Sequence, residues 1–358
     1  MEFIQEPEFE RFQILDENGE ITNEEEMPDL SNEELLEMYR YMVLAKEADD
    51  KSLTLQRQGR MGTYASLRGQ EAAQVGSAYA LQEGDWMFPS FRETAVWPVR
   101  DLPLKDLMVY WMGDERGMEI PEENNDFTVS VPVGSQVLHA TGSAWASKKL
   151  GEDSASLVYF GDGATSEGDF HEGLNFAGTF DLPVVYLCQN NQYAISMRRE
   201  EQTAASSLAQ KATAYGFEGI QVDGNDVLAM YKATEKALEK ARDNEPVLVE
   251  AYTYRLENHT TADDASRYRD EEEVEEWKKK DPIDRFQKFL KEEGVLDNEK
   301  IEEIQEEMEE RVEKAVEEAE AIEDPELEDM FDYMYEEKTP RLHAQLERLK
   351  EFEGGDEQ

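Results

Sequence analysis

Three observations predict an α/β fold, a parallel sheet with helices on both faces. The runs 157–160 (LVYF), 184–187 (VVYL) and 247–250 (VLVE) are short, apolar and β-rich, as buried strands are. Helix-length segments rich in Ala and Gly lie between them, which suits right-handed crossovers rather than hairpins. With 39% apolar and 10% aromatic residues the chain can also build a real core.

In chain order, residues 1–30 are acidic, Pro-containing and aperiodic, and are expected to form an extended N-terminal arm. Ser31 followed by Glu34 offers a capping box. Leu35, Leu36, Tyr39, Met42 and Val43 then keep helical spacing. From there to about residue 255 the α/β texture continues, and 31–270 is expected to form the ligand-binding α/β domain. Residues 271–358 read as a helical C-terminal region. In it Ile301, Ile304, Met308, Val312, Ala315 and Ala319 mark a long amphipathic helix, packed on the main body or on a partner.

The charge excludes one class of function. Against 36 basic residues stand 84 acidic ones, a formal net charge of −48. Nucleic-acid binding needs clustered Lys and Arg, so that partner is excluded. The excess is general: residues 1–35 hold 13 acidic residues and one Arg, and 271–330 hold 26 acidic against 9 basic. An even excess of this size reads as adaptation to a salty cytoplasm, where about 1 M salt shortens the Debye length to about 3 Å. A lone cysteine, Cys188, leaves no intramolecular disulfide and reads as a small buried residue. The start MEFIQEPEFE has neither a basic nor an apolar region of a signal peptide, and no apolar run reaches a membrane span. A cytoplasmic protein is expected.

The chemistry concentrates in 157–196. One strand stops at Gly161-Asp162-Gly163, and after 26 intervening residues the next stops at Asn190-Asn191. Ligands of an open parallel sheet sit outside the carboxyl ends of its strands, so Asp162 and Asn191 are expected at one edge. A carboxylate and an amide carbonyl are hard oxygen ligands suited to Mg²⁺, whose other positions phosphate and water can fill. Gly161 and Gly163 let the backbone approach a diphosphate, and a helix starting near Ser166 would point its N–H groups at it.

This pattern resembles the thiamin-diphosphate motif. Residues from about 35 to 350 resemble the alpha subunit of the decarboxylating component of 2-oxo acid dehydrogenase complexes. GQEAAQVGSAYAL (69–81), DWMFPSFRE (85–93), GDGATSEGDFHEGLNFAG (161–178), QNNQYAIS (189–196), GIQVDGNDVLAMY (219–231) and YRLENHTTADDASRYR (254–269) carry the likeness. The resemblance implies the thiamin-diphosphate-binding fold, with Mg²⁺ held by Asp162, Asn191 and the Tyr193 carbonyl. Phe91-Arg92 stands where the family has a Tyr-Arg pair gripping the diphosphate. His259 matches a histidine that donates a proton during acyl transfer to lipoamide. Asp169 and Glu172 match acidic residues of a proton passage between paired sites. Ser130, Pro132, Ser135 and Gln136 match a K⁺-binding loop of branched-chain relatives. Three departures are Phe91 for Tyr, Gln189 where some relatives place Arg, and Glu257-Asn258 for Gly-His or Gly-Pro.

The function so implied is oxidative decarboxylation of a 2-oxo acid, pyruvate favoured, with acyl transfer to a lipoyl acyltransferase core. A branched-chain or acetoin dehydrogenase subunit and a non-catalytic acidic scaffold are the competing readings. Only the diphosphate half of a thiamin-diphosphate site is found in this chain. A separate beta subunit, in an α2β2 tetramer, is therefore expected to complete it.

Overall fold

Alternation along the strands decides the layering. In the computed structural model, which describes residues 10–353, the strands are β1 (Trp86–Phe88), β2 (Ser156–Gly161), β3 (Val184–Asn190), β4 (Tyr193–Ala194), β5 (Met197–Arg198), β6 (Glu218–Asp223) and β7 (Val247–Tyr252). Five of them form a parallel sheet in the order β1-β2-β3-β7-β6, and β4 and β5 form a small antiparallel hairpin. Leu157, Tyr159, Val185 and Leu187 point into one core, while Val158, Phe160, Val184, Tyr186 and Cys188 point into another. Successive side chains of a strand face opposite ways, so continuous apolar runs of this kind require cover on both faces.

The cover is helical. The first helices are α1 (Asn32–Arg57), α2 (Glu71–Tyr79), α3 (Val96–Val99), α4 (Leu104–Met112) and α5 (Ser135–Leu150). Next come α6 (Gly168–Phe180), α7 (Arg199–Gln202), α8 (Val227–Arg242) and α9 (Glu271–Lys278). The last are α10 (Pro282–Glu292), α11 (Asn298–Glu320), α12 (Asp329–Asp332) and α13 (Pro340–Glu353). α5 and α6 cover one face, and α2 and α8 the other, with α1 packed outside α2. The Ser31–Glu34 capping box forms as the sequence indicates. So does the apolar stripe of α11, which is buried against α1 and α4. Cys188 is buried, which pushes its thiol well above the usual range.

The N-terminal segment is more integrated than an extended arm. Residues 1–9 lie outside the described residues, but Phe12 pairs with Val222 at the free edge of β6. The Ile14 and Leu15 N–H groups donate to one oxygen of the buried Asp226 carboxylate, which also caps α8. Ile14 and Leu15 are fully buried. Those few apolar residues, without periodicity, suffice to dock the segment.

Candidate active site

Parallel register brings the functional loops together. Gly161 pairs with Gln189, so Asp162 leaves β2 beside the point where β3 ends at Asn190. β7 continues past Tyr252 along the same edge: Asn190 and Asn191 carbonyls accept from the Thr253 and Arg255 N–H groups. These strand ends wall a cavity of about 260 Å³ lined by Arg92, Gly161, Asp162, Asn191, Arg255 and His259, among others. Phe91, Gly163, Tyr193 and Gln136 line it too.

Asp162 is 2% exposed, and burial raises its carboxyl to about 6. Its Oδ2 accepts a 2.6 Å hydrogen bond from Gln202 on α7. That donor is neutral, and the Arg255 and Arg92 charges offset only part of the cost of burying the carboxylate. Asn191 Nδ2 donates to Gln70 at 3.0 Å, which fixes the amide with Oδ1 on its other side. The Tyr193 carbonyl accepts from Arg255 at 3.3 Å, and the Tyr193 hydroxyl donates to Glu273, fixing the hairpin. Among the described residues no cluster of three His, Cys, Asp or Glu side chains could hold a metal. The donor set at this cavity is instead one carboxylate, one amide oxygen and one backbone carbonyl, the mixture a partly hydrated Mg²⁺ accepts.

Two guanidinium groups flank His259. Arg92 donates to the Ser66 carbonyl at 2.5 Å, and to the His259 carbonyl and Nδ1 at 3.0 Å each. Arg255 donates to the Ile195 carbonyl at 2.8 Å and to the same Nδ1 at 3.3 Å. These acceptors are neutral. Burial first, then the Arg255 charge, pulls Arg92 down to about 10, and burial lowers Arg255 as well. Two buried cations held this way suit an anion of the size and charge of a diphosphate. A guanidinium only donates, so His259 Nδ1 accepts and the ring proton sits on Nε2. Burial, then Arg92 and Arg255, lowers His259 to about 3 and keeps it neutral.

The glycines meet the backbone requirement in different ways. A Cβ on Gly161 would project into open space, whereas one on Gly163 would come within 2.9 Å of the Ala194 Cβ. The expected helix start near Ser166 is corrected: a 3-10 turn spans Asp162–Ser166 and α6 begins at Gly168. Thr165 Oγ1 donates to the Asp162 carbonyl and closes that turn, which lines the cavity together with Glu167, the N-cap of α6. Phe91 packs edge-on against His259, with the Arg92 guanidinium 5.4 Å from its ring centroid. Glu257 and Asn258 shape the His259 loop by accepting from Arg255 and from the Ala265 N–H.

The remaining expected residues lie nearby or elsewhere. Ser130 and Ser135 hydroxyls are 2.7 Å apart, and Ser135 also donates to the Pro132 carbonyl. Gln136 donates to the Tyr159 carbonyl, and its buried Oε1 has no hydrogen-bond partner. Asp169 is half-buried and Glu172 exposed on α6, outside the cavity lining. Gln189 bridges Gln74 and the buried Glu93, away from any guanidinium role.

Residues 39–328 match the family described as dehydrogenase E1 component. The chain belongs to that family. Among curated relatives of this dehydrogenase E1 chain, the pyruvate dehydrogenase E1 component subunit alpha of Staphylococcus aureus (strain Mu50) is 43% identical over 347 residues, 96% of this chain and 94% of the relative. The protein of the same name from Staphylococcus epidermidis is 42% identical over the same shares. The resemblance to the alpha subunit of a thiamin-diphosphate-dependent 2-oxo acid dehydrogenase is therefore borne out. Among the described residues no helix is long and apolar enough to cross a membrane.

Proposed function

We propose that this chain is the alpha subunit of a pyruvate-type dehydrogenase E1, acting in the cytoplasm on a 2-oxo acid. The observation that carries the reading is the meeting of Arg92, Asp162, Asn191 and His259 on one cavity at the strand ends of a dehydrogenase E1 chain. Thiamin diphosphate, when bound, supplies the electron sink for loss of carbon dioxide. Arg92 would grip its diphosphate, with Asp162, Asn191 and the Tyr193 carbonyl on Mg²⁺. Gly161 and Gly163 let the backbone of the 3-10 turn approach. Neutral His259 offers its Nε2–H as a donor, a role compatible with moving a proton during acyl transfer. The Ser130 and Ser135 hydroxyls and the Pro132 carbonyl, gathered in one turn, and the unpartnered Gln136 Oε1 are oxygen donors that support a K⁺ ion held by this loop. Asp169 and Glu172, on the α6 surface, are assigned to a proton passage completed only in the assembly.

A beta subunit completes the site, in an α2β2 tetramer that delivers acyl groups to a lipoyl acyltransferase core. Exposed Val133 and Ile195 line the cavity, and exposed Val131 lines the neighbouring cleft that shares Val133, Phe91 and His259, which gives such a partner an apolar rim. The test is complementation with an artificial electron acceptor, comparing pyruvate with branched 2-oxo acids. The chain alone is expected to turn over neither. With its cognate beta subunit it should consume pyruvate, and only with Mg²⁺ present. Equal turnover by the isolated chain would remove the need for a partner, and preference for a branched acid would replace pyruvate.

A further inference from the structure

Asp49 is a carboxylate that the proposed chemistry does not use. It lies on α1, is 0% exposed and takes no part in lining the cavity. Three donors converge on it from the loop between α1 and α2. Oδ1 accepts from the Tyr64 hydroxyl at 3.1 Å and the Leu67 N–H at 2.7 Å, and Oδ2 accepts from the Ser66 hydroxyl at 2.7 Å. A carboxylate can accept from all three at once, the Leu67 N–H among them being a donor only. Burial holds its carboxyl up at about 6, so retaining it here is costly and a plain structural filler would be apolar.

The loop so fixed leads to the site along two lines. The Ser66 carbonyl accepts from Arg92, whose other amino group reaches His259. The Leu67 carbonyl accepts from Gln70 Nε2, and Gln70 Oε1 accepts from Asn191 Nδ2. A third tie joins the Tyr64 hydroxyl to Thr94, two residues past Arg92. One buried carboxylate thus orients both the diphosphate-facing cation and the metal-facing amide.

We infer that Asp49 is a positioning residue for cofactor capture, setting Arg92 and Asn191 through residues 64–70 without touching the cofactor. The inference rests on the functional reading above. The test uses the alpha–beta complex, with thiamin diphosphate and Mg²⁺ binding measured by calorimetry and the melting temperature taken without cofactor. Asp49→Asn should raise the cofactor dissociation constant about tenfold or more. At saturating cofactor its kcat should fall by a smaller factor than the affinity does, because the loss lies first in capture. Tyr64→Phe, which deletes a single hydroxyl, should weaken cofactor binding in the same direction. The double variant should lose less than the sum of the two, because both act on one loop.

Parental affinity in both variants would overturn the inference, as would an affinity loss that only tracks a fall in melting temperature. If Asp49→Asn does not assemble, Tyr64→Phe decides alone, and unchanged affinity there overturns it. No cofactor binding by the parental complex would instead sink the functional reading, and this inference with it.

Discussion

At the scale of single residues, the charge state of His259 follows from its neighbours. With its pKa lowered to about 3, the folded state keeps the ring neutral while an unfolded chain titrates near 6.5. The unfolded state therefore binds the extra proton, and the stability from this group is full above about 6.5 and lost as pH falls toward about 3. In NMR spectra of the four histidines, the His259 ring should show no protonation down to about pH 5. Arg255→Met should move its midpoint upward. A parental ring titrating at the ordinary value would mean that the guanidiniums face elsewhere. Asp162, Asn191, Arg92 and His259 were legible in the sequence because each sits in a short motif tied to a strand end or a polar loop. Arg255, Gln70, Gln202 and Asp49 were not. Their roles arise from contacts across up to 121 positions, as between Gln70 and Asn191, and spacing carries no trace of such contacts.

At the scale of elements, legibility tracked burial. The strands now seen as β2, β3 and β7 are central and apolar on both faces, so their runs stand out. β1 has three residues, and β6 at the edge is exposed over its first half, which gives a mixed polar sequence. The first is too short for its apolar run to stand out, and the second has no continuous one. α11 was legible because its stripe repeats over 23 residues, and that stripe is what ties the C-terminal region to α1 and α4. Met308, 2% exposed in its middle, is the position to probe. Met308→Ala should cost about 2–5 kcal/mol, read from denaturant unfolding with an unchanged slope. A cost near zero would mean that α11 contributes little to the fold in the absence of its partner chain.

At the scale of the whole molecule, the dominant quantity is the net charge of −48. That figure already counts the bases in ion pairs such as Lys51 with Glu313 and Arg60 with Glu320, so with 84 acids against 36 bases most acids have no basic partner. Self-repulsion at low ionic strength should fade as salt shortens its range. The melting temperature should therefore climb steeply between roughly 0.1 M and multimolar KCl. A flat response would end the reading of the charge as an adaptation to salt. The docking of Phe12, Ile14 and Leu15 has a different bearing, on how the chain is made. Their anchor, Asp226, lies 212 positions after Ile14. A ribosome adding about 5–20 residues per second needs roughly 10–40 s to reach it. Throughout that interval the stretch emerges without its buried hydrogen-bonding anchor. Glu10, Asp16, Glu17 and Glu20 flank that stretch, and charges so placed oppose association between copies of an exposed apolar segment.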